Sequence, residues 1–172
     1  MSSRVKKGTR TSAESRALDT YVKLLRASES VHAAAVRTLA GHNLTPSQFA
    51  VLEALYHVGP LCLSDLARKI LKTGGNLTMV VRNLEKRGLV IRERGAQDRR
   101  YVSVAISDKG KRIMDRAFPQ HARRIVQLLG HLSAQEQERL GELCRKLGLA
   151  VTGATWAQAP SPVRPSASSA VR

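Results

Sequence analysis

One stretch, Thr73 to Gly88, most constrains what this chain can fold into. Its apolar residues recur at the spacing of a single helix face: Leu77, Val80, Val81 and Leu84. The other face carries mostly hydrogen-bonding and cationic side chains, of the kind that contact base edges and phosphates: Asn76, Thr78, Met79, Arg82, Asn83 and Lys86. Gly88 occupies a typical C′ position and is expected to end the helix.

Two runs with strand character follow this helix, Leu89–Glu93 and Tyr101–Ile106. The second run alternates in the period of two that is typical of a half-buried strand. Gly95 lies in the turn between the runs and supplies the backbone freedom that a hairpin tip needs. From residue 73 to residue 100 there are seven cations and three acids, a net charge of +4. A helix followed by a basic hairpin predicts a winged helix that binds DNA.

The residues before this stretch predict the rest of a helix-turn-helix. Thr45-Pro46-Ser47-Gln48 combines an N-cap, a proline at the first helical position and a capping box, so a helix is expected from here to about His57. Leu61 and Cys62 have the character of a short edge strand. Ser64 is expected to cap the next helix, and Lys72–Gly75 is expected to form the turn before the helix described first.

Long helices are predicted on both sides of this region. Ala13–Ala40 has neither glycine nor proline and predicts one helix of about 40 Å, ended by Gly41. Ser107 is expected to cap a helix that Pro119 kinks, and Ser133-Ala134-Gln135-Glu136 is a second capping box before a last helix. These helices carry more apolar surface than the winged domain can cover, which favours a homodimer built through both chain ends.

The predicted fold class is therefore mainly α, an α+β winged helix-turn-helix domain flanked by N- and C-terminal dimerisation helices. The expected organisation has five parts: a disordered basic arm (1–13), an N-terminal dimerisation helix (14–44), the DNA-binding domain (45–106), C-terminal dimerisation helices (107–150) and a disordered tail (151–172).

Charge and composition limit the possible functions. The net charge of +16 predicts a polyanionic partner, nucleic acid first (here double-stranded DNA) and an acidic membrane surface second, and leaves open a nonspecific or architectural nucleic-acid-binding protein. The apolar runs are shorter than the roughly 20 residues of a membrane span, and no signal peptide is recognisable, so a cytoplasmic protein is expected. Nothing resembles a catalytic constellation or a cofactor motif, so neither an enzyme nor a bound cofactor is expected.

The order of these elements resembles the MarR family of bacterial transcriptional regulators. Three segments carry the resemblance, which covers residues 14–149. Leu44–Leu52 is similar to the family's second helix. Thr73–Thr78 with Asn83–Val90 is similar to its recognition helix and the following strand. Asp98-Arg99-Arg100, leading into Ile106–Gly110, is similar to the signature of its wing.

The resemblance implies a regulator, with repression as the expected action, that binds a palindromic operator as a homodimer. Each recognition helix would enter a major groove and each wing would reach the adjacent minor groove. Arg82 departs from the pattern, because many relatives have an acidic residue there. An arginine at this position is expected to change base preference and to raise affinity for phosphate.

Eleven residues are predicted to contact DNA: Ser64, Thr73, Gly75, Asn76, Thr78, Met79, Arg82, Lys86, Arg94, Arg99 and Arg100. Ser64 has two interpretations, a phosphate ligand at a helix N-terminus or an ordinary cap. Arg100 also has two, since it can insert into a narrow minor groove or pair with Asp98 to hold the shape of the wing, whereas Arg94 is expected to contact a phosphate.

Many MarR-like proteins bind small aromatic or phenolic effectors between the dimerisation and winged domains. Five residues could line such a crevice or could simply form core: Tyr21, Ser28, His32, Phe49 and Tyr56. Cys62 is either a redox-active thiol near a helix start or a structural cysteine, and Cys144 is assigned to packing. The five histidines lack the spacing of metal ligands, so no metal site is expected.

Overall fold

The computed structural model describes residues 11–70, 74–94 and 102–152. Their elements are α1 (Ser12–Val36), a 3₁₀ helix (Arg37–His42), α2 (Pro46–Val58), β1 (Leu61–Cys62), α3 (Leu63–Ile70), α4 (Gly74–Lys86), β2 (Val90–Arg94), β3 (Val102–Ile106), α5 (Asp108–Leu129) and α6 (Ala134–Thr152). This arrangement confirms the predicted winged helix-turn-helix flanked by long helices. The predictions for the basic arm over residues 1–10, the tail from residue 153, Thr73, Asp98, Arg99 and Arg100 lie outside the described residues.

The long first helix is present, with a different end from the one predicted. A capping box at Thr11 starts α1, and the α-helix gives way after Val36 to the 3₁₀ helix. Gly41 lies inside that 3₁₀ helix and does not end it. The turn instead closes at Asn43, which takes φ 53° and donates its N–H to Ala40 O. Asparagine tolerates this left-handed conformation better than most residues.

Helix α2 starts as its sequence predicts. Thr45 Oγ1 accepts the N–H of Gln48 at 3.2 Å, and Gln48 Oε1 accepts the N–H of Thr45 at 3.1 Å. The same amide oxygen accepts a hydrogen bond from Arg87 Nη1 at 3.0 Å. The cap of α2 is therefore also a bond to the end of α4, which joins two elements that are far apart in sequence.

The helix-turn-helix is formed by α3 and α4, and both pack against α2. The prediction that Ser64 is the N-cap of α3 is wrong, because the helix begins at Leu63 and Ser64 lies inside its first turn. The predicted turn is also too long. Gly74 and Gly75 already belong to α4, so only residues 71–73 separate the helices.

Gly88 ends α4 as predicted and determines where the wing begins. It has φ +67° and donates its N–H to Glu85 O, while Leu89 donates to Leu84 O at 2.9 Å. This pair of bonds is a Schellman motif. Because the N–H of Leu89 closes the helix, strand β2 begins one residue later than predicted, at Val90.

The three strands form an antiparallel sheet in the order β1-β3-β2, so Leu61–Cys62 is the short edge strand that was predicted. The wing strands pair from Val90 with Ile106 to Arg94 with Val102. Arg94 is thus the last residue of β2, although the sequence placed it in the turn. The seven residues between Arg94 and Val102 lie outside the described residues.

The first turn of α5 is pressed against the junction of α4 and β2. Ser107 Oγ donates to Gly88 O at 2.7 Å and accepts the N–H of Gly110 at 3.0 Å. Lys109 Nζ donates to Arg87 O at 2.9 Å. Gly110 lies so close to the backbone of Leu89 that a Cβ there would overlap it. These contacts join the winged domain to the long helix that follows it.

The core of the described residues lies among α2, α3, α4, the sheet and the middle of α5. The outer helices have large apolar side chains that remain exposed: Leu18, Tyr21, Val22, Leu24 and Leu25 on α1, and Leu140, Leu143, Leu147 and Val151 on α6. None of the described helices has an apolar stretch long enough to span a bilayer.

Candidate nucleic-acid interface

Helix α4 presents one exposed polar face and one buried apolar face. Leu77, Val81 and Leu84 are fully buried, and this fixes the rotation of the helix about its axis. The exposed side chains share the opposite face: Thr78, Met79, Arg82, Asn83 and Lys86. Met79 is 56% exposed although it is apolar. The packing of α4 therefore turns four of its predicted contact residues outward: Thr78, Met79, Arg82 and Lys86.

The cations at this end of the molecule fall into two groups. Arg87 and Arg92 are engaged internally, since Arg87 Nη1 donates to Gln48 Oε1 and Arg92 Nε donates to Glu85 Oε2 at 3.1 Å. Arg82 and Lys86 form no hydrogen bond or ion pair with any residue that the structure describes. Of these four described cations, the two unpaired ones therefore lie on the exposed face of α4, where they are available to a phosphate or a base edge.

The start of α3 holds a small polar cluster. Ser64 is exposed, and its Oγ lies 3.0 Å from Cys62 Sγ. Asp65 accepts a hydrogen bond from Arg68, and the bonds from Arg68 and from Cys62 hold the pKa of this carboxyl below its usual value. Ser64 is placed where a phosphate could approach it. The sequence interpretation overlooked Arg68, an exposed cation one turn further along the helix.

Three further predicted contacts can be placed by their backbone. Gly75 and Asn76 lie in the first turn of α4. Arg94 lies at the last pairing of β2 with β3, at the base of the wing tip. The roles proposed for Thr73, Arg99, Arg100 and the wing-structuring Asp98 fall outside the described residues and stay predictions.

A crevice of about 510 Å³ opens between α1, α2, α5 and α6. Each helix contributes one face: Leu24, Ala27, Ser28, Val31, His32 and Ala35 from α1, Pro46, Phe49, Ala50 and Glu53 from α2, His121, Ile125 and Leu129 from α5, and Leu140 and Cys144 from α6. Three of the five residues predicted for an effector site therefore line the same crevice: Ser28, His32 and Phe49. Its walls are largely apolar, and its size suits a small ring compound.

Burial changes the titration of two groups in this crevice. It raises the pKa of the Glu53 carboxyl above its ordinary value and lowers the pKa of the His121 imidazole. The ring of His121 packs against Phe49 with a centroid separation of 4.7 Å. Thr38 Oγ1 donates to Ala35 O at 2.9 Å and lies 3.1 Å from His121 Nδ1. The His121 ring also forms a hydrogen bond with the backbone of Ala35, which raises its pKa against the larger effect of burial.

The other two predicted crevice residues lie elsewhere. Tyr21 is 61% exposed on α1 and is absent from the lining. Tyr56 lines a separate depression beside the sheet, and its hydroxyl donates to Asp115 Oδ1 at 2.7 Å. This bond, more than burial, raises the pKa of the phenol.

Sequence reasoning missed Glu53 and His121 because it looked for aromatic and hydroxyl residues. The spacing of residues 46, 49, 50 and 53 on one face of α2 could have indicated Glu53. No local signal indicates His121, which reaches the crevice only through the packing of α5. Among the described residues, no group of three histidine, cysteine or acidic side chains could hold a metal ion.

Comparisons with known proteins agree with this geometry. The model of the MarR family matches residues 44–102. The HTH-type transcriptional regulator YkoM of Bacillus subtilis is 37% identical over 78% of this chain and 87% of its own length. The regulator MhqR of the same organism is 36% identical over 78% of this chain and 92% of its length. Among solved structures, that of Bordetella bronchiseptica BpsR is 27% identical to this chain, with a TM-score of 0.70. The match covers 82% of this chain and 98% of the BpsR chain. The DNA binding of BpsR is regulated by 6-hydroxynicotinic acid.

Proposed function

Since this chain belongs to the MarR family of DNA-binding transcriptional regulators, and is a regulator rather than an enzyme, we propose that it is an effector-responsive repressor that binds a palindromic operator as a homodimer. The observation that carries this proposal is the exposed face of α4. Its cations Arg82 and Lys86 have no partner among the described residues, whereas the nearby Arg87 and Arg92 do. A helix held by a buried apolar face with unpaired cations outward is suited to a major groove.

The homodimer is supported by the apolar side chains on the two ends of the chain. Exposed leucines follow one another along α1 and α6, for example Leu24, Leu143 and Leu147, each 39% exposed or more. A second copy related by two-fold symmetry would cover the same surface on both subunits. It would also present two α4 helices, which require half-sites about 10 bp apart or a multiple of that spacing.

The effector response is supported by the crevice between the outer helices and α2. Helix α5 lines this crevice and is bonded through Ser107 and Lys109 to the end of α4. A ligand that favours one packing of α1 and α5 would shift the population of dimers with correctly spaced recognition helices. BpsR, a structural neighbour, responds to a small aromatic acid, and we extend to this chain only the coarser idea of a small aromatic effector.

A nonspecific or architectural DNA-binding role is the second candidate, and the net charge of +16 favours it. The two candidates differ in sequence preference. Binding to the promoter region beside the protein's own coding sequence should be compared with binding to random duplex at physiological salt. The repressor should prefer its site by about a thousandfold or more. Equal affinity for both duplexes would eliminate the repressor and leave the architectural role.

A matched pair of variants tests the assignment of α4. Arg82→Gln removes one exposed cation from α4, and Arg123→Gln removes one from the exposed face of α5. Loss of a base contact costs about 1–3 kcal/mol, so Arg82→Gln should weaken operator binding about tenfold or more and reduce discrimination between operator variants. Arg123→Gln should change affinity much less. Equal effects from both variants would show that only the total charge matters.

A further inference from the structure

The crevice lacks the charge that a carboxylate ligand would need. Neither lysine nor arginine is among the side chains that line it, and all of those side chains belong to the described residues. Its polar groups are instead the Glu53 carboxyl, the Ser28 hydroxyl and the imidazoles of His32 and His121. An anion entering these walls would lose its hydration without gaining a lysine or arginine partner, and it would meet a carboxyl group.

Glu53 is the only acidic side chain of the lining, and it is unpaired. It forms no hydrogen bond or ion pair with any described residue, so its oxygens are available to a ligand. The removal of water around it raises the pKa of the carboxyl. A ligand hydroxyl or ammonium group that donates to these oxygens would replace the lost hydration, and hydrogen bonds to charged groups are among the stronger ones.

His121 adds a second acceptor to the same walls. A neutral imidazole has one acceptor nitrogen, and when Nδ1–H donates to Thr38 that acceptor is Nε2. Its ring and the ring of Phe49 form an aromatic corner of the crevice. Two acceptors beside an aromatic corner complement a ring that carries hydrogen-bond donors.

We propose that this crevice takes aromatic compounds with hydroxyl or amino donors and without a carboxylate, and that Glu53 sets this preference. The proposal rests on the effector role given to the crevice above. In its effector class this chain would differ from regulators whose effectors are aromatic acids. Glu53 acts here as a specificity-determining residue, because its carboxyl receives donors and repels anions.

Three compounds that share a 4-hydroxyphenyl ring test the proposal by direct calorimetric titration of the full chain without DNA. They are 4-hydroxyphenylethanol, which is neutral, 4-hydroxyphenylethylamine, which is a cation, and 4-hydroxyphenylacetate, which is an anion. The neutral compound and the cation should bind at least about tenfold tighter than the anion, since an unpaired like charge in a half-buried site costs well over 1 kcal/mol.

Glu53→Gln keeps the shape of the side chain and removes its charge. The affinity of this variant for the neutral compound should exceed its affinity for the anion by less than about threefold. Its affinity for the cation should be about tenfold lower than that of wild type. Glu138→Gln, at an exposed position of α6, makes the same change in net charge and should leave all three affinities unaltered.

Three outcomes would overturn the proposal. In the first, the anion binds the wild-type protein as tightly as the neutral compound. In the second, the preference survives in Glu53→Gln. In the third, none of the compounds binds, so the crevice is not a site for this ligand class. Preference for the operator over random duplex, measured on the same preparation, reports separately whether the regulatory function stands.

Discussion

Replacing Gly110 by alanine should destabilise the protein, although alanine is the better helix former. Gly110 lies in the first turn of α5, and a Cβ built on it would approach Ile106 Cγ1 to 2.8 Å and the carbonyl carbon of Leu89 to 3.2 Å, with the carbonyl oxygen closer still. Ordinary contacts between carbon atoms lie near ~3.5–4.0 Å. The obstacle is mainly backbone, which cannot rotate away as a side chain can.

The magnitude follows from three contributions. Overpacking typically costs about 1–3 kcal/mol, and a backbone obstacle points to the upper end. A shift of α5 away from Leu89 would also weaken the bonds of Ser107 and Lys109 to the end of α4, each worth about 1 kcal/mol. The gain in helix propensity is at most about 1 kcal/mol. We expect a net loss of about 3 kcal/mol, or a fall in Tm of about 10 °C.

Gly141→Ala is the matched control for this measurement. Gly141 lies in α6, and a Cβ there would meet nothing within 4 Å. This substitution should therefore stabilise the protein by about 0.5–1 kcal/mol. Denaturant unfolding of both variants at one protomer concentration checks the prediction. If Gly110→Ala were as stable as wild type, the packing described between α5 and Leu89 would be wrong.

Two further predictions concern the wing and pH. Arg100→Ala should weaken operator binding strongly, as measured by mobility shift, and should leave the dimer folded, as measured by sedimentation. Unchanged affinity for the operator would show that the wing does not contact DNA. Burial lowers the pKa of His57 and of His121 below the ordinary 6.5, so the unfolded chain takes up these protons first and stability should fall as pH drops through that value. Glu53 has the opposite effect on stability, because its pKa is raised and the folded state takes up its proton first as pH drops. The unfolding midpoints of wild type and of the variant His57→Gln/His121→Gln should therefore be measured at about pH 7.5 and about pH 5.5. Between these two pH values the variant should lose less stability than wild type.

Many elements of this protein could be predicted because their signals are local. The capping box of Thr45 and Gln48 joins residues three apart, and the Schellman motif at Gly88 spans six residues. The apolar spacing on α4 likewise depends on one helix. Such features need only the preferences of neighbouring residues, and for that reason the helix-turn-helix and the wing strands were found to within one or two residues.

The errors at the ends of elements come from backbone hydrogen bonding and strand pairing. Strand β2 begins at Val90 because the N–H of Leu89 is already used to close α4. Arg94 belongs to the strand because Val102 pairs with it. Competition for one backbone hydrogen bond decided the first boundary, and pairing with the neighbouring strand decided the second.

By itself, the sequence determined the class of the protein and the exposed face of α4, since the periodic burial of Leu77, Val81 and Leu84 leaves only one face outward. Tertiary structure alone decided which charges on the molecule are free. Arg87 is held by the cap of α2 and Arg92 by Glu85, whereas Arg82 and Lys86 have no such partner among the described residues. It also brought Glu53 and His121 into one crevice from positions 68 residues apart in the chain. A free charge and a shared pocket depend on which helices pack together, and no local pattern of residues encodes that.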